Sequence, residues 1–182
     1  MKIGVPKEIK ENENRIAMIP SGVEDLVRNG HEVFIQKSAG LGSGFDDTSF
    51  VNSGATILDS LDEIFQKSEL IVKVKEPQAE EIDLISEGQM MFTFFHFAAS
   101  EKLTNQFINS GGIAIAYETV QNASSQLPLL IPMSEVAGRM SVQNGAKCLE
   151  ANMGGRGKLL SGVPGVEPGT ITIIGGGIVG MN

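Results

Sequence analysis

Short apolar runs alternate with longer amphipathic stretches through the first two thirds of the chain. Most of these runs are rich in Val, Ile, Phe or Met and end at Gly, Pro or a polar side chain. Short runs of this kind are typical of strands buried in a sheet. We therefore predict strands at residues 2–5, 31–36, 55–58, 70–74, 90–95 and 112–116.

The stretches between these strands place apolar side chains three or four positions apart, the spacing of one helix face. Pro20 and Ser21 open one predicted helix, and Asp46 and Asp47 cap another. Strands that alternate with helices of about ten residues indicate an α/β, Rossmann-like fold, in which a parallel sheet carries helices on both faces. The predicted helices lie at residues 20–30, 47–54, 59–67, 78–86 and 100–109.

The pattern changes at residues 121–132, where two prolines bracket an apolar run in a loop-like stretch. A long helix is predicted from Pro132 to about Met153, with Gly138 and Gly145 allowing another element to approach closely. We place a domain boundary near residue 130. Residues 1–130 form a substrate domain, and residues 131–182 form the long helix and the truncated start of a second, dinucleotide-binding Rossmann domain.

The last segment, TITIIGGGIVGMN, combines a β-branched run with a match to G-x-G-x-x-G. Residues 171–174 predict a buried parallel strand. In such a fingerprint the first glycine permits a tight turn, the second admits a pyrophosphate, and the third lets the following helix pack closely. A glycine-rich turn without a ligand is the alternative. The motif assigns a dinucleotide's phosphates to Gly175, Gly177, Ile178, Val179 and Gly180.

Charge and composition restrict the partners. A net charge of −8 and a pI near 4.8 argue against nucleic acid and anionic membranes, because both require a basic face. The apolar cluster at residues 90–99 is too short to cross a bilayer, and the N-terminus lacks the apolar run of a signal peptide. The single cysteine, Cys148, excludes an internal disulfide. We expect a cytoplasmic protein with no membrane partner.

Reactive side chains follow four of the predicted strands. Arg15 lies in the loop after the first strand, Lys75 follows the fourth, His96 the fifth, and Tyr117 and Glu118 the sixth. Open parallel sheets bind ligands beyond the carboxyl ends of their strands, so these side chains should gather at one edge. Arginine and lysine suit a small anionic substrate, and histidine can act as an acid or base near neutral pH.

Each of these residues also has a purely structural interpretation. Arg15 follows a charged run and can be a solvated surface residue. Lys73 and Lys75 alternate along their strand and can both extend to water from a sheet edge. His96 lies among phenylalanines and can be a neutral core histidine, and Glu118 can cap a turn.

Several runs of the sequence resemble those of bacterial alanine dehydrogenase. They occur in the family's order and extend over the whole chain. The transhydrogenase α subunit, a related group, shares the KV segment and the glycine fingerprint but lacks the histidine that stands here as His96. The runs are IGVPKEIKENENR (3–15), LIVKVKEP (70–77), MFTFFHFAAS (91–100), IAYETVQ (115–121), LPLLIPMSEVAGR (127–139) and SGVPGVEPG (161–169).

This resemblance implies an oxidoreductase that carries out NAD-dependent, reversible oxidative deamination of L-alanine to pyruvate and ammonia. It implies that Arg15 and Lys75 contact the substrate's carboxylate and carbonyl, and that His96 donates and accepts protons. It also implies a homo-oligomer, since full-length members are hexamers.

Three further roles rest on the same resemblance. Met133 and Ser134 match the helix start near the cofactor, with Ser134 contacting NAD. Glu118 matches a position implicated in metal binding in some members.

Family members are about twice as long as this chain, so we expect a fragment that neither binds NAD tightly nor turns over alanine by itself. Two other functions stay open. One is a non-catalytic module for small-anion binding or subunit assembly, and the other is a nucleotide-binding protein like the transhydrogenase α subunit.

Overall fold

A computed structural model describes all 182 residues. The chain divides into two compact units, Met1–Val120 and Gln121–Asn182. The division falls at the start of the loop-like stretch, whereas the sequence placed the domain boundary near residue 130.

The first unit contains one six-stranded sheet in which every neighbouring pair of strands is parallel. The strand order is β3-β2-β1-β4-β5-β6. This is the Rossmann order, with a switch point between β1 and β4 where the connections leave in opposite directions. The predicted α/β class is therefore confirmed. The strands are β1 (Lys2–Val5), β2 (Glu32–Gln36), β3 (Thr56–Leu58), β4 (Leu70–Val72), β5 (Met90–Thr93) and β6 (Ile113–Ala116).

Five helices connect these strands, and side chains cap the first turns of several of them. The Asp46 carboxylate accepts a hydrogen bond from the Ser49 N–H at 2.8 Å. Ser60 and Glu63 form a capping box at the start of the third helix. The helices are α1 (Pro20–Arg28), α2 (Asp47–Asn52), α3 (Leu61–Lys67), α4 (Ala79–Ile82) and α5 (Glu101–Ser110).

The core has two halves, one on each face of the sheet. One half packs Val23 of α1 and Phe50 of α2 against the inward side chains of β1 and β2. The other packs α3, α4 and α5 against β4 and β5, with Phe65, Met91 and Phe107 among its buried side chains. Helices therefore cover both faces, and the strand ends carry the polar side chains of the candidate site.

Two strands end two residues earlier than predicted. β4 ends at Val72 instead of Val74, and β5 ends at Thr93 instead of Phe95. Carboxylates, not a neighbouring strand, accept the hydrogen bonds of the Val74 and Phe95 amides. Side chains from other loops thus end both strands at the edge where the candidate site lies. The helix predicted at residues 78–86 is also shorter, since only α4 forms there.

The second unit is built on α6 (Ile131–Leu149) and the short helix α7 (Ile178–Met181). α6 ends before the predicted Met153, and a 3₁₀ turn, Ala151–Met153, follows it. A side chain at Gly138 would overlap the Val179 carbonyl, so this glycine allows α7 to lie against α6, as predicted. Gly145 has open space around it and has no such role.

The predicted strand at residues 171–174 does not form. Its isoleucines are exposed, and Ile174 is 97% accessible. The β-branched composition favours a strand, but a parallel strand needs a hydrogen-bonded neighbour, and all six strands pair within the first unit. As for membranes, none of the helices combines the length and apolar character that a bilayer span requires.

Candidate functional site

The switch point of the sheet brings together the loop after β1 and the loop after β4. β1 and β4 are direct neighbours, with Ile3 beside Leu70 and Gly4 beside Ile71. The first loop carries Glu8, Glu13 and Arg15, and the second carries Lys73 and Lys75. In open α/β sheets this position is where ligands bind.

Arg15 lies in the first of these loops and forms a side-on pair with Glu13. Its Nε donates to Glu13 Oε1 at 2.8 Å and its Nη2 donates to Oε2 at 2.5 Å. The Arg15 backbone N–H donates to the same carboxylate at 2.9 Å. Both residues line a cavity of about 130 Å³ together with Lys7, Glu8 and Asn14. The guanidinium thus already holds a carboxylate in the bidentate geometry that the sequence predicts for a substrate.

Hydrogen bonding to Arg15 lowers the pKa of Glu13 from 4.5 to about 2, and the charge of Lys75 contributes in the same direction. Lys75 and Arg15 therefore act on one carboxylate although they belong to loops after different strands. The two predicted substrate-binding cations thus belong to neighbouring loops at the switch point, and both charges lower the pKa of Glu13.

The Glu13 carboxylate should also leave a mark on acid stability. Because its pKa is lower in the folded chain, its contribution to stability is complete above pH 4.5 and is lost as the pH falls towards 2. We expect the loss of stability across this window to be smaller in Glu13→Gln than in wild type. Urea unfolding at several pH values measures it; parallel curves for the two chains would contradict the assignment.

Lys73 is completely buried between two carboxylates, which corrects the interpretation of Lys73 as a side chain that extends to water. Its Nζ lies 3.1 Å from Glu8 Oε2 and 2.7 Å from Glu81 Oε1. All three side chains are at most 2% exposed. Burial raises the pKa of Glu81, and the Lys73 charge opposes that shift. The sequence analysis missed both glutamates. A lysine inside the apolar run LIVKV was the available signal, because a buried lysine requires a charged partner.

Lys75 follows immediately, and side chains hold its backbone on both sides. Its N–H lies 3.5 Å from Glu8 Oε1, and its carbonyl accepts a hydrogen bond from Thr93 Oγ1 at 2.8 Å. The preceding amide, of Val74, donates to the same Glu8 oxygen at 2.6 Å. The Lys75 side chain itself is half-buried. The position of its ammonium is thus set by a backbone segment that hydrogen bonds to Glu8, in the loop after β1, and to Thr93 of β5.

His96 lies beyond β5 and is exposed, so it is not the core histidine that the structural interpretation allowed. Its φ of 52° is in the left-handed region, which few non-glycine residues adopt. Glu118 stabilises this turn because its Oε1 accepts the His96 N–H at 2.7 Å and the Phe95 N–H at 3.1 Å. The imidazole stacks on Phe94, with ring centroids 6.0 Å apart and planes at 13°. It is presented to solvent at the strand-end edge.

Glu118 therefore uses its carboxylate on backbone amides at the end of β5. The resemblance assigned this residue to a metal, but no group of three or more His, Cys, Asp or Glu side chains is placed to hold an ion. Tyr117, beside it, packs edge-on against Phe92 and Phe94, with centroids 4.3 and 5.0 Å away. Burial raises the pKa of its phenol, so the Tyr117 side chain is uncharged where it packs beside the His96 turn.

Replacing Glu118 with alanine removes the acceptor for two amides in a strained turn. We expect a loss of about 1–3 kcal/mol in unfolding free energy, and faster hydrogen exchange at the Phe95 and His96 amides. Thr119→Ala is the control, because the exposed Thr119 hydroxyl bonds only the Ala116 carbonyl. Slow exchange at both amides in Glu118→Ala would show that the carboxylate does not hold the turn.

In the second unit, the glycine turn lines a cavity of about 910 Å³ beside α6. Gly175 has a φ of 96°, and open space surrounds Gly176 and Gly177. A side chain on Gly180 would overlap the Gly175 carbonyl, which accounts for the third glycine. An opening of this size, with glycines where a ligand would approach the backbone, fits the phosphates of a dinucleotide.

The other residues that the resemblance assigned to the cofactor lie at the start of α6. Ser134 lines this cavity together with Ile178 and Val179. Met133 precedes it on α6, is 36% exposed and does not line the cavity. The geometry therefore groups Ser134 with the glycine turn and leaves Met133 outside that group.

Sequence comparison relates both parts of the chain to one family. Residues 4–137 match the family described as Alanine dehydrogenase/PNT, N-terminal domain, and residues 141–182 match its C-terminal domain. An alanine dehydrogenase from Methanococcus maripaludis is 56% identical over 182 residues, which are all of this chain and 49% of the relative. One from Mycobacterium tuberculosis is 50% identical, with the same coverage. The chain thus spans about half the length of the curated relatives it matches.

Solved structures agree with these relatives. An L-alanine dehydrogenase, 52% identical, superimposes with a TM-score of 0.88 and is matched over 100% of this chain and 50% of its own. A transhydrogenase from Sinorhizobium meliloti shares the fold with a TM-score of 0.71 at 24% identity, over 81% of this chain and 44% of its own. The matches to the alanine dehydrogenases extend over the whole chain, from the sheet to the glycine turn, and the chain belongs to the alanine dehydrogenase/PNT family.

Proposed function

We propose that this chain supplies the substrate site, and the opening of the cofactor site, of an NAD-dependent alanine dehydrogenase. The proposed reaction converts L-alanine, NAD⁺ and water to pyruvate, ammonium, NADH and a proton. The observation that carries the proposal is the bidentate pair between Arg15 and the Glu13 carboxylate at the β1/β4 switch point. The charge of Lys75 also lowers the pKa of this carboxylate.

The two cations have separate tasks in this proposal. The Arg15 guanidinium holds the substrate carboxylate through two parallel N–H bonds. The substrate carboxylate then replaces that of Glu13 as the partner of Arg15. The Lys75 ammonium is a point charge for the carbonyl oxygen of pyruvate or the oxygen of the carbinolamine. Together they fix the Cα relative to the sheet edge, and such positioning is a large part of catalysis when two molecules must meet.

His96 moves the protons. Its exposed imidazole can take a proton from the substrate amine and release it to solvent. It can then take a proton from the water that attacks the imine carbon and return it to the carbinolamine nitrogen. Finally it can take the proton of the carbinolamine hydroxyl as ammonia leaves. NAD, when bound, supplies the hydride acceptor for the alanine Cα. Ser134 and the turn Gly175–Gly180 are the residues of this chain that we assign to holding it, because they share one cavity.

The resemblance extends the proposal to a cytoplasmic hexamer of full-length chains. Exposed apolar side chains along α6 support an association surface there; they include Val136, Met140 and Val142.

Complementation tests the proposed reaction. The chain would be mixed with a second chain that carries the other half of the Methanococcus maripaludis relative, and alanine-dependent NADH absorbance would be followed. We expect turnover from the mixture and none from either chain alone. A mixture that associates but shows no turnover would contradict the proposed function.

A further inference from the structure

Glu8 has no role in the chemistry proposed above, yet its carboxylate contacts the neighbouring loop of the switch point at several atoms. It is 7% exposed, although it lies in a charged run at the surface end of β1. One carboxylate oxygen accepts the Val74 N–H at 2.6 Å and lies 3.5 Å from the Lys75 N. The other oxygen accepts from Lys73 Nζ at 3.1 Å. A single side chain from the first loop thus contacts three consecutive residues of the second.

The contacts of Glu8 begin where the hydrogen bonds between β4 and β5 end. The last β4–β5 bond runs from the Lys73 N–H to the Phe92 carbonyl at 3.0 Å. No strand accepts a hydrogen bond from the next two amides, those of Val74 and Lys75. The Glu8 carboxylate is their acceptor instead. A buried amide without an acceptor is costly, so the carboxylate determines the path of the backbone at these residues.

The charge of Glu8 is balanced without using Lys75. Lys73 lies between Glu8 and Glu81, so the ion pair within the core involves Lys73 and leaves the Lys75 ammonium for a ligand. Glu81 contacts the amine of Lys73 but does not accept from the amides of residues 74 and 75. Two carboxylates therefore share one lysine, and only one of them holds the segment that carries Lys75.

We propose that Glu8 is a positioning residue for Lys75: through the backbone of residues 73–75 it fixes where the Lys75 ammonium meets the substrate. The inference rests on the proposed function, since it assigns Lys75 to a small carboxylate ligand. In this proposal Glu8 acts through that backbone and not through a contact with the ligand.

Pyruvate binding to the 182-residue chain, followed by NMR titration, tests the role. Glu8→Ala should weaken binding roughly tenfold, the size expected when one well-placed hydrogen bond is lost. Lys75→Met should weaken it as well. The double variant should bind about as well as Lys75→Met alone, because Glu8 acts through Lys75. Effects that multiply in the double variant would overturn the proposal.

Two further variants separate positioning from stability. Glu8→Gln keeps an oxygen for the Val74 amide and should retain pyruvate affinity within about threefold. Glu81→Gln weakens the other ion pair of Lys73 but leaves the contacts of residues 74 and 75 with Glu8 in place. The melting temperature of this variant should therefore fall while its pyruvate affinity stays unchanged. A Glu81→Gln affinity as low as that of Glu8→Ala would show that Glu8 acts only through stability.

Hydrogen exchange at the Val74 and Lys75 amides supplies a readout that needs no ligand. We expect faster exchange in Glu8→Ala and unchanged exchange in Glu81→Gln. A wild-type chain that binds no pyruvate would overturn the proposed function. A wild-type chain that binds, together with a Glu8→Ala chain that binds equally well or keeps slow exchange, would overturn the positioning role alone.

Discussion

Lys73→Met should destabilise the first unit by about 3–5 kcal/mol, because it leaves two buried carboxylates facing each other without a cation. Both Glu8 and Glu81 are buried beside the Lys73 amine, and their side chains are at most 2% exposed. A loss of this size is a large fraction of the stability of a typical domain. The variant should therefore show a much lower melting temperature or fail to fold at neutral pH.

The pH dependence identifies the cause of that loss. Burial raises the pKa of Glu81, and without Lys73 nothing opposes the shift, so the folded variant should take up a proton more readily than the unfolded chain. Its stability relative to wild type should then recover as the pH falls below neutral. Thermal denaturation from pH 7.5 down to about pH 5 measures this recovery.

Lys37→Met is the matched control. Lys37 forms an exposed ion pair with Asp59 at 3.0 Å, and exposed pairs contribute little. Its melting temperature should stay close to that of wild type. A Lys73→Met chain as stable as Lys37→Met would show that the buried triad does not support the loop after β4.

His96→Gln should reduce the rate of alanine oxidation by the complemented enzyme by about 10²–10⁴-fold, the range for loss of a general acid–base group. Glutamine retains polarity and size at this exposed position but cannot accept and release protons near neutral pH. The effect should fall on kcat more than on KM, since Arg15 and Lys75 still hold the substrate. Steady-state rates at several alanine concentrations separate the two parameters.

The chain offers one other histidine, His31, as a control. It precedes β2, at the opposite end of the strands from His96. His31→Gln should keep the wild-type rate within about twofold. Equal rates for the two histidine variants would remove His96 from the mechanism.

The sheet was predictable because its signals are local. Apolar runs bounded by Gly and Pro identify the six strands, and Asp46 marks a helix start that the structure shows capped by this same side chain. The order of those strands was not predicted, because right-handed crossovers are compatible with several orders. The gathering of Arg15, Lys75, His96 and Glu118 at strand ends follows from the parallel direction alone.

The contacts around the site were not predictable in the same way. Glu8 and Lys73 are 65 positions apart in the sequence, and Phe95 and Glu118 are 23 positions apart. Nothing in a charged run such as KEIKENENR (7–15) distinguishes a buried glutamate from a solvated one. These long-range carboxylates end β4 and β5, so the errors at strand ends and the missed residues have one cause.

The predicted strand at residues 171–174 failed for a different reason. Its β-branched composition was interpreted correctly as a preference for extended backbone, but a strand in a parallel sheet also needs partners. The six strands of the first unit pair among themselves, and Ile171 to Ile174 stay exposed. The glycine turn after them nevertheless has the backbone features of its fingerprint, including the positive φ of Gly175.

Calorimetry of pyruvate binding to the 182-residue chain, in wild type and in Arg15→Ala, tests the central claim most directly. Arg28→Ala is the control, since Arg28 is an exposed arginine that pairs with Glu24 on α1. We predict one saturable site in wild type and in Arg28→Ala, and an affinity at least about tenfold lower in Arg15→Ala, because a bidentate charged contact is lost. No binding to wild type, or equal binding to all three chains, would contradict a substrate site at the switch point.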